Sequence, residues 1–109
     1  MSDESVPDEP NPSLLKETSI GECNPRDAFW IHNGPVVSSL RELAQTIRLI
    51  SDEMFRYHVN SEKNDFASWI YHTFGNPYLA RDLDSEENRS NKDRYAKTIN
   101  DHLDWLEHS

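Results

Sequence analysis

The chain has 109 residues, a formal net charge of −9 and one cysteine. That length suits a single core able to fold without metal or disulfide staples, and the lone Cys23 excludes an internal bridge. With a mean hydropathy of −0.87 and no apolar run near the roughly 20 residues a bilayer-crossing helix needs, a membrane protein is excluded and a cytoplasmic one expected.

The charge is uneven. Residues 1–25 carry six acids against Lys16, residues 26–83 seven acids against six bases, and residues 84–109 seven against four. Both ends are therefore acidic and the middle is nearly neutral. Acidic surfaces oppose phosphate backbones at long range, so nucleic-acid binding is disfavoured. Residues 1–25 also hold four prolines (Pro7, Pro10, Pro12, Pro25) and few apolar side chains. Such a segment cannot offset the entropy of ordering, and a disordered acidic tail is expected. Leu14, Leu15 and Ile20 are its candidates for packing on the domain or docking elsewhere.

Order is expected from about Asp27. Phe29, Trp30 and Ile31 lead into Asn33-Gly34, a pair tolerant of positive φ, and Val36 and Val37 follow. This arrangement predicts two short strands in a hairpin. Pro35 cannot donate a ladder bond, and an irregular turn capping the helices is the alternative. Next, Ser39 with Glu42 reads as a capping box, and Leu40, Leu43, Ala44, Ile47 and Ile50 recur at helical spacing, predicting a helix that ends near Ile50. Ser51 caps a second, short helix with Asp52 and Glu53 in its first turn and Met54, Phe55, His58 and Val59 as inward candidates.

Asn64 is the natural cap of a third helix whose stripe is Phe66, Trp69, Ile70 and Phe74, with Gly75 as its left-handed stop. Asn76-Pro77 reads as cap and first helical residue of a fourth, carrying Tyr78, Leu79, Ala80 and Leu83. Residues 84–91 have no apolar member and read as a polar linker. From Lys92 to Leu106, Tyr95, Ile99, Leu103 and Leu106 predict an amphipathic helix over 92–109, packed on the core. The fold class is thus mainly α: a compact bundle of four to five short helices, preceded by a short β-hairpin or turn. Residues 26–83 form its core and residues 1–25 a disordered acidic tail.

Five pieces of this stretch carry a family resemblance. They are Phe29–Gly34 (Phe-Trp-Ile-His-Asn-Gly), Ser39–Ala44 (Ser-Leu-Arg-Glu-Leu-Ala), Ser51–Val59 (Ser-Asp-Glu-Met-Phe-Arg-Tyr-His-Val), Lys63–Ile70 (Lys-Asn-Asp-Phe-Ala-Ser-Trp-Ile), and Leu79 with Ala80. In these, residues Phe29 to Leu83 resemble a small domain of unknown function that recurs in archaea and bacteria, alone and attached to other chains. The resemblance implies a common fold. It brings no catalytic role, since no activity is assigned to that domain, and it leaves out the tail and the last helix.

His58, Asn64 and Asp65 are polar residues among strongly apolar ones. The simplest expectation is a staple, with Asn64 and Asp65 starting one helix and His58, near the end of the previous one, bonding Asp65 across the loop. A ligand or catalytic site joining His58 and Asp65 to His32 is the alternative. No metal site is expected, because His32, His58, His72, His102, His108 and Cys23 include no pair three or four apart on one helix. No cofactor is expected either, since the three glycines form no phosphate loop, and Cys23 reads as an ordinary exposed thiol.

Phe66, Trp69 and Phe74 read as core. Trp30 and Trp105 are less constrained, and Arg48, Arg56, Tyr57, Tyr71 and His72 are candidates for a surface groove. The reading with fewest assumptions is a non-enzymatic module that binds a protein through Trp30, Arg48, Arg56, Tyr57, Tyr71 and Trp105. One alternative is a helix-turn-helix-like nucleic-acid binder, opposed by the absence of Lys or Arg between Asp65 and Phe74. Another is an enzyme or enzyme subunit using Asp52, Glu53, His58 and Asp65 as acid and base.

Overall fold

Every helix of the described residues starts where a side-chain oxygen meets an unpaired backbone N–H. The computed structural model describes residues 10–109, so the tail expected over residues 1–9 lies outside the described residues. Ser39 Oγ accepts the Glu42 N–H at 3.1 Å and opens α2 (Leu40–Leu49). Glu42 completes a capping box with a shift of one residue, its Oε1 accepting the N–H of Ser38 at 2.8 Å. Ser51 opens α3 (Asp52–His58), Asn64 opens α4 (Asp65–Phe74) and Asn76 opens α5 (Pro77–Leu83) in the same way. Gly75, at φ 60° and ψ 36°, ends α4 in the left-handed region. Asn91 opens the longest helix, α7 (Lys92–Glu107).

Before α2 lies a two-stranded antiparallel hairpin, β1 (Phe29–Trp30) with β2 (Val36–Val37), in which Phe29 faces Val37 and Trp30 faces Val36. Its turn has Asn33 at φ 57°, a conformation Asn tolerates better than most residues. Gly34 lies close to two side chains. A Cβ there would lie 2.9 Å from Met54 Cε and 3.0 Å from Ile31 Cγ2. Pro35 contributes through its carbonyl, which accepts the Ile31 N–H at 3.1 Å. The hairpin alternative therefore holds over the irregular turn.

The core gathers Val37, Leu40, Leu43, Ala44 and Ile47 from β2 and α2, Phe55 from α3, and Phe66, Ile70 and Phe74 from α4. Leu79 and Leu83 from α5 and Tyr95, Ile99 and Leu103 from α7 complete it. Helix α7 runs along α2 and closes this core. A separate, smaller cluster joins Leu15, Tyr78 and Leu106.

Two expectations are corrected. Residues 12–25 do not continue as a disordered tail: Pro12–Ser19 is a helix, α1, capped by Asn11, and Leu15 is buried. The apolar content that looked too small for ordering is matched by partners far along the chain, Tyr78 and Leu106. Residues 84–91 are likewise more than a linker. Glu86–Arg89 forms a single-turn helix, α6, capped by Ser85. Its buried Asn88 donates to the Asp82 carbonyl at 2.7 Å and accepts from Thr98 Oγ1 at 2.9 Å. Order here comes from polar contacts, which apolar periodicity does not register. These two elements bring the helices of the described residues to seven, above the four or five expected.

Candidate functional site

The polar cluster at the start of α4 is assembled from three elements. His58, the last residue of α3, is 4% exposed. Its Nδ1 lies 2.9 Å from Asp65 Oδ2, and its Nε2 lies 2.9 Å from the backbone nitrogen of His32. A backbone N–H can only donate, so Nε2 is the unprotonated nitrogen and Nδ1 carries the proton donated to Asp65. Phe29, Tyr57 and Phe66 enclose the ring, with centroids at 5.1, 5.0 and 5.0 Å. Asp65 also pairs with Lys63 at 3.1 Å.

Asn64 is bonded more extensively than a cap requires. Its Oδ1 accepts from the Ala67 N–H at 3.2 Å and from the Tyr95 hydroxyl at 2.6 Å, and its Nδ2 donates to the Leu83 carbonyl at 3.1 Å. One side chain thereby ties α4 to α5 and α7. Burial holds the Tyr95 hydroxyl well above the usual phenol range, although the bond to Asn64 acts in the other direction, so it serves as a donor. His32 joins the cluster through its backbone, not its ring.

This geometry positions helices. A general base needs a ring nitrogen available to substrate, and both nitrogens of His58 are already engaged. The exposed Asp52 and Glu53 stand at the opposite end of α3, about 9 Å away along the axis at 1.5 Å per residue.

The outer side of the hairpin is arranged differently. Side chains alternate along a strand. Phe29 and Ile31 turn to the core, whereas Trp30 is 76% exposed and His32 is also exposed. Val36, directly opposite Trp30, is exposed too. The His32 ring stacks on Tyr57 at 3.8 Å and 7°, and the Lys63 ammonium stands 4.7 Å above the Tyr57 ring. Trp30 and Val36 on the strands, with the His32–Tyr57 stack and Lys63 at the turn, give an aromatic strip in two parts, the second ending in a cation. Val36 and Lys63 are not evident from the sequence reading. The signal for Val36 was cross-strand pairing with Trp30.

The other candidates for an interaction surface lie elsewhere. Arg56 reaches from α3 to α6, donating to the carbonyls of Arg89 and Ser90. Arg48 is exposed on α2, where its carbonyl accepts from Lys92 at 3.1 Å. Tyr71 and His72 line a surface cleft of about 350 Å³ with Ser68, Arg81 and Asp84. Trp105 lies beside His102 on α7, at 5.4 Å between centroids. The groove expected to unite Tyr71 and His72 with Arg48, Arg56 and Tyr57 is therefore not formed. Arg41, which the sequence did not single out, forks from α2 to Asn100, Asp104 and Glu107 on α7 at 2.7 to 2.9 Å.

Cys23 is half-buried against the core, not exposed, and burial raises its thiol above the ordinary range. Among the described residues, no group of three His, Cys, Asp or Glu is placed to hold a metal ion, and no helix is long and apolar enough to cross a membrane. No family model, curated protein or solved structure matches the chain.

Proposed function

We propose that this domain is a non-enzymatic protein-binding module, and that its contact face is the aromatic strip on the outer side of the hairpin. The observation that carries the reading is Trp30, an indole 76% exposed between the half-buried Phe29 and the buried Ile31. Large aromatics on a rigid scaffold give up little conformational entropy on binding and are enriched among residues that dominate interface energies. The His32–Tyr57 stack and Lys63 extend the face. A partner with an apolar recess for the indole and acidic groups opposite Lys63 fits it.

The resemblance to the recurring archaeal and bacterial domain is part of this proposal. Trp30 and His32 fall in its Phe-Trp-Ile-His-Asn-Gly piece, Tyr57 in Phe-Arg-Tyr-His-Val, and Lys63 opens Lys-Asn-Asp-Phe. Its members would then present the same strip. Nucleic-acid and acid–base readings have less support: the exposed positions of α4 are Ser68, Tyr71 and His72 with no Lys or Arg, and His58 is engaged at both nitrogens.

The test is affinity capture from native cell extract with the full chain as bait, beside a Trp30→Ala bait and a Trp105→Ala control. The proposal expects a protein retained by the natural chain and by the control but lost from Trp30→Ala. Equal capture by all three baits, or none by any, overturns it.

A further inference from the structure

We propose that α1 is a detachable strap, held over α5 and α7 by a Ser19–Asn76–His102 latch, buried at Ser19 and Asn76 and half-buried at His102, that opens when His102 takes up a proton. The inference is independent of the aromatic strip and rests on the orientation of one amide. Asn76 is fully buried and caps α5, its Oδ1 accepting the Leu79 N–H at 3.0 Å. That bond fixes which end of the amide faces inward. Nδ2 therefore points the other way, with Ser19 Oγ and His102 Nε2 each at 2.9 Å.

An amide nitrogen can only donate. His102 must present a lone pair at Nε2, so the ring is neutral with its proton on Nδ1. A proton added at Nε2 would set N–H against N–H, and either the ring or the amide must move. Asn76 Nδ2 is the atom that also holds Ser19, so a shift of the amide uncouples Ser19, which is itself buried at the last position of α1.

The surroundings do little to accommodate an imidazolium. From α5 the charged group that acts on the ring is Asp82. From α1 the neutral Ser19 hydroxyl joins through Asn76, while Lys16 reaches the Ser109 carbonyl at 3.4 Å and Glu17 is exposed. Within α7 the neighbour is the Trp105 ring. Burial lowers the proton affinity of His102 below the ordinary imidazole value, with Asp82 opposing. The geometric argument and the desolvation therefore point the same way.

The strap is built to come away as a unit. An eight-residue helix does not hold in water by itself, and the anchors of α1 are Leu15, Ser19, the half-buried Ile20 and the Lys16 contact. Behind it Gly21 sits at φ +100° with open space around it. Immediately afterwards the chain is clamped again, by a bridge from Glu22 to Ser39 and a bond from the Cys23 N–H to the Ser38 carbonyl at 2.8 Å. Release up to Gly21 uncovers Leu106 and part of Tyr78 and takes Ile20 off the edge of the main core, whose other members lie outside the strap.

Amide hydrogen exchange on the full chain tests this, with rates corrected for the intrinsic effect of pH. Between about pH 7.5 and pH 5, protection over Leu15 to Ile20 should fall on the order of tenfold, the scale set by unmaking a buried hydrogen bond. Amides of α2 from Leu43 to Ile47 should keep theirs. His102→Gln offers an acceptor oxygen and takes no proton, so its strap should lose the pH dependence. No change in the natural chain, an equal fall in His102→Gln, or a fall shared by α2 overturns the proposal. Should that variant not fold, ¹⁵N shifts of the His102 ring in the natural chain decide. A proton on Nδ1 at neutral pH supports the latch, and a proton on Nε2 overturns it.

Discussion

The regions around His58 and His102 use the same bond for different purposes. In each, ring Nε2 accepts an N–H: from the His32 backbone in one and from the Asn76 amide in the other. The difference lies behind the ring. His58 donates to Asp65 and is enclosed by Phe29, Tyr57 and Phe66, where hairpin, α3 and α4 meet the main core. His102 stands beside a cluster of three side chains that anchors one short helix. A hydrogen bond embedded in the shared core is a condition of the whole fold, whereas the same bond at a satellite cluster controls a local part of it.

The comparison can be broken most forcefully at His58. His58→Ala removes the donor to Asp65 and the acceptor for His32 and leaves a hole among aromatic rings. It should cost about 2–3 kcal/mol, lowering the melting temperature by roughly 4–8 °C for each kcal/mol, seen as one cooperative loss in thermal denaturation followed by circular dichroism. A variant that melts like the natural chain would show that the staple is dispensable. Leu15→Ala, on the other side, should cost about 1–2 kcal/mol, less than a fully enclosed leucine because it lies at the rim of a small cluster. Its loss should be confined to exchange protection over α1, and a drop in α2 protection of the same size would make the two regions one.

Tyr95→Phe probes the hub beside His58 more gently. The change keeps the ring and removes one bond, leaving Asn64 Oδ1 with the Ala67 N–H alone, at a cost of about 1 kcal/mol in urea denaturation. The smallest effect is that of pH at His102. Its folded-state value lies below the ordinary 6.5, so its stability contribution is complete above 6.5 and lost as pH falls from there toward the folded value. The natural chain should therefore lose more stability than His102→Gln between neutral and mildly acidic pH. Equal losses would remove His102 from the account.

How legible these regions were differs for physical reasons. The caps Ser39, Ser51, Asn64 and Asn76 announce themselves, because a helix start needs an acceptor at a fixed offset from the first apolar turn. The same holds for Gly75. His58 with Asp65 was readable as a staple, since both residues flank one short loop. Helix α1 was not, because its partners Tyr78 and Leu106 are distant in sequence and a short proline-flanked segment has no periodicity of its own. Nor was α6, ordered by the polar side chains of Asn88 and Thr98. The latch was half visible: Asn76 was recognisable as a cap, but a capping amide also has two N–H donors to place, and only the folded chain shows Ser19 and His102 receiving them. Among the surface residues, pattern picked out Trp30 and Tyr57 as candidates, while their junction through the His32 ring depends on how hairpin and α3 meet.

The central claim is that the outer face of the hairpin is there to be covered by another protein. Replacing Val36, opposite Trp30, with a photo-reactive benzophenone amino acid and irradiating the full chain in native extract tests it directly, with the same group at the exposed Leu49 of α2 as reference. The account predicts a discrete protein adduct at position 36 that disappears when Trp30→Ala is added, and no such adduct at position 49. No adduct at position 36, or one that persists without the indole, would contradict it.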